Sequence, residues 1–512
     1  MAYTISNSTR IAKNTIFLYI RMFILMLVSL YTSRVILEAL GVEDYGIYNV
    51  VGGIVVLFTF INNAMVTSTQ RFLNYEIGLN NFENTQKVFS ISVNIHILIS
   101  ILILILSETV GLWLLNSTIQ YPDNREWAVQ MIYQLSVLTT CVKIIRAPYN
   151  AAIIAYEKMQ FYAYLSVFEA LLQLSIVFML KIIPYDRLVI YGILLLIVSI
   201  IINIAYYWYC RSNFNTCRYV LTKDKLLYKQ LLGFSGWSLF GGVANVGTGQ
   251  GLNIILNVFL GVTVNAAMGI SNQVSSALST LIVNFQTAFK PQLVKSYATG
   301  DRKYFTSLII ASSKYSYLLS FIIALPIYIC CPEILSIWLT EVPDYSVSFC
   351  RMMLIFTLLD ALQGPLWYSI LATGKIRTYQ ILMSFLILFN LPLSYICLKV
   401  GFNPVSVLII RCLINFFSLF VRLWYMNKLF DFPIKLFFSD VILRIVPITA
   451  IATLLNFLPI NINTPFVKIS VVIIITLFIN MILVLTIGLS NNERNIIINK
   501  IQAIYDKYKR NR

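Results

Sequence analysis

Residues 188–209 read LVIYGILLLIVSIIINIAYYWY, an uncharged run with Arg187 before it and Arg211 just beyond it. Coiled as a helix at ~1.5 Å per residue, it reaches about 33 Å, enough to cross the ~30 Å hydrocarbon core of a bilayer. Runs of the same kind recur from end to end and predict spans over 11–37, 45–68, 88–115, 128–147, 161–183, 188–209, 231–258, 265–289, 304–332, 347–371, 378–399, 404–426, 441–459 and 466–488. The expected fold is therefore an all-α integral membrane protein of about 14 transmembrane helices.

Composition agrees with that reading. Of 512 residues, 59% are hydrophobic and 12% charged. A water-facing domain carries roughly 25% charged residues, so this chain could not dress such a surface. Its mean hydropathy is +0.79. The first run, 11–37, exceeds a signal-peptide core and ends near Arg34, not at a small-residue cleavage site, so it reads as a retained span.

A net charge of +17 raises the question of nucleic acid. Its Lys and Arg residues lie scattered in short loops, not in one patch interleaved with aromatics, so a nucleic-acid partner is not expected. Their distribution sets a topology instead. The polar stretches 69–87, 210–230, 290–303 and 489–512 share one side, which receives 27 of the 38 basic residues. The other side receives seven: Arg34, Arg125, Lys181, Arg187, Arg351, Lys399 and Lys468. Such a bias places both termini in the cytoplasm. The tail continues the pattern. Ile497, Ile501, Ile504, Tyr505 and Tyr508 share a helical face apart from Lys500, Lys507 and Lys509, as expected of an amphipathic helix lying on anionic membrane lipids.

The sequence repeats itself. Leu40-Gly41-Val42 reappears as Leu260-Gly261-Val262, and Gly46-Ile47 as Gly269-Ile270. Gln70, Tyr75 and Gly78 match Gln292, Tyr297 and Gly300 in a Q-x4-Y-x2-G pattern. The offset corresponds to six helices, and an even number leaves both copies in one orientation, related by a pseudo-two-fold along the membrane normal. The expected organisation is an N-lobe over 1–209, a C-lobe over 231–426, an accessory pair over 441–488 and a cytoplasmic amphipathic tail over 489–512.

Eight cysteines occur without any CxxC, most inside apolar runs, where a thiol acts as a small hydrophobe. Neither a metal site nor a disulfide framework is expected, and no cofactor is implied. The single histidine, His96, is read as a packing residue. Charges within spans carry more information, because each costs roughly 2.5–3.5 kcal/mol to insert. Arg21 and Glu169 lie at a common depth of about 12 Å from the cytoplasmic face, and Lys314 and Asp360 at about 15 Å. These depths suggest two ion pairs, Arg21 with Glu169 and Lys314 with Asp360. Arg411, about 10 Å from the opposite face, has no acid at its depth. Lys143 and Arg146 are expected to snorkel to the cytoplasmic interface. Glu169 and Asp360 are also the candidates for proton coupling.

The seventh span contains Gly233, Gly236, Gly241, Gly242, Gly247, Gly249 and Gly251. Its Gly247-Thr-Gly-Gln-Gly251 segment lacks the GxGxxG spacing, the lysine and the preceding strand of a nucleotide loop. Helix packing or a bend is the membrane use of such glycines. Asn245, Thr248, Gln250 and Asn253 in the same span suggest that it borders a wet cavity.

The stretch LYTSRVILEALGVEDYGIYNVVGGIVVLFTFIN at 30–62, with TQRFLNYEIG at 69–78, resembles Wzx-type polysaccharide (O-antigen) flippases. These belong to the multidrug/oligosaccharidyl-lipid/polysaccharide exporter superfamily. The resemblance implies two six-helix lobes around a cavity, two added helices and a place in the bacterial inner membrane. It also implies a function: moving an undecaprenyl-diphosphate-linked oligosaccharide from the cytoplasmic to the periplasmic leaflet, for surface polysaccharide or lipopolysaccharide assembly. Its partners would be the lipid-linked oligosaccharide, membrane lipids and the polysaccharide assembly machinery. No short catalytic motif accompanies the family, so Arg21, Lys314 and Arg411 are head-group candidates by chemistry alone.

Two other functions remain open on the residues. A drug or organic-cation antiporter of the same superfamily needs buried carboxylates, yet the first and seventh spans hold none. A membrane polysaccharide polymerase needs a sizeable extramembrane loop with catalytic residues, and the longest such loop, about 334–346, offers only Glu341 and Asp344.

Overall fold

A computed structural model of the chain describes residues 13–489 other than 29–30, 33–34, 37, 42–43, 45–46, 49–50, 52–59, 119–122, 181–184, 261, 340–341 and 457–463. The described residues are helices joined by short turns, with no strand among them. We number the long helices α1 (13–28), α2 (Phe60–Gly78), α3 (Phe82–Leu106), α4 (Glu126–Ala155), α5 (Met159–Leu180), α6 (Arg187–Asn213) and α7 (Lys225–Leu260). There follow α8 (Val262–Ala298), α9 (Arg302–Ile329), α10 (Ser346–Thr373), α11 (Arg377–Lys399), α12 (Val405–Phe430), α13 (Ile434–Leu455) and α14 (Pro465–Gly488). The first two predicted spans fall partly outside the described residues, and the amphipathic tail from 490 onward lies wholly outside them.

From α3 to α14, every helix except α8 is long and apolar enough to cross a membrane, giving 11 such spans among the described residues. The surface explains why lipid is the solvent. On α3, Leu98, Ile101, Leu102 and Ile105 form an i, i+3, i+4, i+7 stripe, each at least 44% exposed, while Val88, Ile91 and Ile95 are buried. An apolar stripe turned outward on a helix of this length fits hydrocarbon and not water. Helix α8 is too polar to meet that measure, and its polar residues are matched inside the protein. Ser275 meets Thr357 at 2.7 Å, and the Gln286 amide donates to the Ala361 carbonyl at 3.2 Å. Paired polar groups of this kind are tolerated at membrane depth.

The chain divides into two compact units. Unit 1 comprises Met1–Val243, Thr287–Arg302 and Leu371–Gln380; unit 2 comprises Ala244–Gln286, Lys303–Ile370 and Ile381–Arg512. In unit 1, Ile132, Tyr133 and Val137 of α4 pack with Leu188 and Val189 of α6. The buried Tyr133 hydroxyl donates to the Ser107 carbonyl at 2.6 Å, at a π-helical turn, Ser107–Gly111, that extends α3. In unit 2, Leu252, Leu256, Met268, Phe349, Met353, Val407 and Leu408 form the core, and α9 is its most enclosed helix. Helix α11 breaks at Phe389, between Arg377–Leu388 and Asn390–Lys399. Pro392 accounts for the break, since it has no N–H for the Leu388 carbonyl and its ring crowds that group.

His96 is fully buried, with Nδ1 2.7 Å from the Ser92 carbonyl, the packing role expected of it. The cysteines are all free.

Candidate functional site

Unit 1 contains two cavities that share Glu169 and Gln173 in their walls. One, of about 240 Å³, is lined by Arg21, Arg146, Asn150, Tyr162, Ser166 and Tyr206 as well. The other, of about 280 Å³, adds Lys143, Ser136, Thr139, Thr140, Tyr48 and Tyr191. Helical spacing assembles both. Tyr162, Ser166, Glu169 and Gln173 of α5 stand at i, i+4, i+7 and i+11, and Ser136, Thr139, Thr140 and Lys143 of α4 share a face in the same way. Three basic side chains thus face one carboxylate across walls of hydroxyl, amide and phenol groups.

The pairing inside these cavities corrects the depth argument. Glu169 receives its hydrogen bond from Arg146 at 3.1 Å, and Arg21 is not its partner. Arg21 instead lies over the Tyr162 ring, 4.4 Å from its centre, and its Nε is buried without a hydrogen-bond partner among the described residues. Equal depth fixes a height along the membrane normal but not the direction in which a side chain points. The expected snorkelling of Lys143 and Arg146 is also corrected. Both turn into the cavities, where Arg146 stands 5.2 Å from the Tyr206 ring centre as well as bonding Glu169.

Unit 2 contains a smaller cavity, about 70 Å³, whose charged lining is Asp360, Arg411 and Arg422. Asn245, Thr248 and Gly249 of α7, Asn390 of α11, and Asn415 and Ser418 of α12 complete its polar wall. Arg411 packs over Phe356, 4.3 Å from the ring centre, and Arg422 reaches the Gln363 carbonyl at 3.4 Å. The predicted Lys314–Asp360 pair is therefore corrected. Asp360 shares its cavity with the two arginines, while Lys314 is buried on α9 with its ammonium 5.2 Å from the Tyr315 ring centre and does not line that cavity. Nor is Arg411 without an acid nearby, since Asp360 lies in the same wall, although no ion pair within 4 Å joins them among the described residues. The α12 residues Arg411, Asn415, Ser418 and Arg422 stand at i, i+4, i+7 and i+11, a spacing by which Arg422 was legible as a companion of Arg411.

Of the four polar α7 residues expected at a cavity, Asn245 and Thr248 line this one; Gln250 and Asn253 do not, and bond each other at 3.4 Å. The α7 glycines divide likewise. A Cβ on Gly251 would lie 2.6 Å from Leu391, which marks close packing, whereas one on Gly249 would meet nothing within 4 Å.

No protein-family model matches the chain, and no curated protein matches it in sequence. Among solved structures it is similar to a multidrug resistance MATE family transporter of the MOP superfamily in an outward-facing conformation, with a TM-score of 0.72 at 12% identity over 82% of this chain and 95% of that one. It is similar also to the MATE transporter ClbM in complex with Rb+, with a TM-score of 0.69 at 15% identity over 83% and 96%. A MATE structure in the bent conformation gives a TM-score of 0.69 at 13% identity over 82% and 95%. At such identities the likeness is one of fold. The chain has the polytopic all-α fold of these transporters.

Proposed function

We propose that the protein is a flippase that carries an undecaprenyl-diphosphate-linked oligosaccharide from the cytoplasmic to the periplasmic leaflet of the inner membrane by alternating access. The observation that carries this reading is the unit 1 lining, in which Arg21, Lys143 and Arg146 outnumber Glu169. Arg21 moreover keeps a buried donor, Nε, without an acceptor among the described residues. An uncompensated cation within a membrane needs water or an anion, and a diphosphate supplies four or more acceptor oxygens to a planar guanidinium. Tyrosine, serine, threonine, asparagine and glutamine side chains on the same walls suit the hydroxyls of a sugar. An inside-negative potential favours outward movement of such an anion by ~2.3 kcal/mol per charge per 100 mV.

The alternative is a drug or organic-cation antiporter. It draws support from the multidrug MATE transporter of like fold and from Asp360, a carboxylate facing a cavity. The excess of basic over acidic side chains in the cavity linings of both units weighs against it.

A strain lacking its own flippase decides between them. Expression of the chain should restore lipid-linked glycan to the outer leaflet, and Arg21→Ala should abolish that rescue at normal protein levels. Resistance to organic cations without glycan rescue would establish the antiporter.

A further inference from the structure

Unit 1 also holds a set of contacts away from its cavities, on the face that the charge bias assigns to the cytoplasm. Glu157 follows α4 in a turn with φ +59°, and its carboxylate is 2% exposed. Gln292 donates to both of its oxygens, at 2.7 and 2.8 Å, and Lys295 to one at 2.7 Å. Some distance along the chain, Arg71 is buried with its guanidinium 4.6 Å from the centres of the Phe72 and Tyr75 rings and donates to the Ala372 carbonyl at 3.0 and 3.3 Å. The turn it reaches contains Gly374 at φ +77°, where a Cβ would lie 2.7 Å from Arg71 Nη2. Lys290 donates to Gln70 at 2.9 Å, and a Cβ on Gly78 would lie 2.8 Å from Lys295 Cα.

These residues are repeat-related. Gln70 and Gly78 correspond to Gln292 and Gly300 at an offset of 222 residues. A second match runs through the turns: Pro148, Ala155, Lys158 and Tyr162 correspond to Pro365, Ala372, Lys375 and Tyr379 at an offset of 217. At that offset the two left-handed residues, Glu157 and Gly374, are equivalent. Each repeat thus brings the end of its second span against the turn after the fourth span of the other: Arg71 against 372–374, and Gln292 and Lys295 against Glu157.

We propose that this reciprocal pair of contacts is a clasp that closes the cytoplasmic ends of the two repeats upon each other, and that its parting admits substrate from the cytoplasm. The proposal rests on the transport reading above. Its chemistry suits repeated opening. Withdrawing Glu157 and Lys295 from water is costly, and their mutual attraction repays that cost only about evenly. When the clasp parts, both groups regain water, so neither state is held irreversibly. Arg71 loses one carbonyl but keeps the Tyr75 ring on its own helix. Contacts made in only one state set the balance between the two.

Hydrogen–deuterium exchange of the full chain in lipid nanodiscs reads the clasp without reference to any substrate. Glu157→Gln, and Lys295→Met as a second variant that leaves the turn backbone alone, should each raise exchange about tenfold or more. The rise should appear at 153–159 and equally at 371–376, the turn held by Arg71 on the opposite side of the clasp. The exchanged pair, Glu157→Lys with Lys295→Glu, should restore protection at both turns. A rise confined to 153–159, or an exchanged pair no better protected than the single variants, would overturn the proposal. Glycan rescue failing while the coupled exchange persists would sink the substrate assignment and leave the clasp standing.

Discussion

Arg146 donates a 3.1 Å hydrogen bond to Glu169, and both side chains stay 17–18% exposed because they meet in the wall of a cavity and not within a packed core. The pair therefore sets the charge of the cavity as well as joining α4 to α5. Glu169→Gln leaves Arg21, Lys143 and Arg146 without a counter-charge, whereas Arg146→Ala removes one cation. The two substitutions should move affinity for a diphosphate head group in opposite directions, tighter for Glu169→Gln and weaker for Arg146→Ala. Each should destabilise the protein by about 1.5–3 kcal/mol through loss of a charged hydrogen bond. Binding of a fluorescent polyprenyl diphosphate to purified protein, with a thermal melt of each variant, measures both. Affinity falling in both variants would remove the electrostatic role of the pair.

The charge bias of 27 against seven basic residues predicts the topology. Reporter fusions after residues 80, 220, 300 and 500 should all report cytoplasm. A periplasmic signal at any of them would invert or redraw the map and, with it, the side of the membrane on which the Glu157 turn lies.

The spans were legible because an apolar run of sufficient length has one outcome in a bilayer, and Phe82–Gly488 follows that rule nearly throughout. Even in α8, which is too polar to be counted by hydropathy, the predicted span 265–289 falls within the helix Val262–Ala298. The expected polytopic all-α fold is found, and it is similar to that of solved MATE transporters. Side-chain pairing was not legible to the same degree. Arg21 and Glu169 have a common expected depth and line one cavity, yet the carboxylate bonds Arg146, because direction around the helix axis decides reach and depth alone carries no such information. Arg422 escaped notice for a related reason: counted with the cytoplasmic loops, it lies three turns along the same face as Arg411 and turns inward.

Away from the cavities, Arg125 donates to Asp44 through Nε at 2.9 Å and also pairs with Asp186. Asp186 in turn caps α6, accepting from the backbone N–H groups of Leu188 and Val189. Partial burial would raise its carboxyl, but the Arg125 hydrogen bond, the two backbone donors and the Arg125 charge outweigh that and hold it below its ordinary 3.8. A lowered carboxylate contributes stability that is present above the unfolded value and lost as pH falls through the folded one. Asp186→Asn, which removes the ion pair with Arg125, should therefore cost about 1 kcal/mol or less near neutral pH. The gap in melting temperature between wild type and variant should close as pH falls below 3.8. Asparagine caps a helix as well as aspartate does, so the substitution removes the charge and leaves the cap, and a gap independent of pH would mean that the charge does not carry the effect.

The unit 2 cavity yields the prediction that separates charge from packing. Arg411, Arg422 and Asp360 give its lining a net charge of +1, from two cations and one carboxylate. If that positive balance helps hold the diphosphate, transport should follow net charge and not the presence of any one side chain. Arg411→Ala brings the balance to zero and should cut glycan delivery about tenfold, the effect of losing one charged hydrogen bond of ~1.4 kcal/mol or more. Arg411→Lys keeps the charge but loses the planar fork and should retain part of the activity. The decisive variant is Arg411→Ala combined with Asp360→Asn, which restores +1 through Arg422 alone. Recovery of delivery in this double variant, at protein levels equal to wild type, would support the charge reading. Arg411 also stacks on Phe356, a contact worth roughly 0.5–2 kcal/mol that every replacement except lysine removes. A double variant as inactive as Arg411→Ala would therefore point to that contact. Full transport by Arg411→Ala itself would remove the residue from the mechanism altogether.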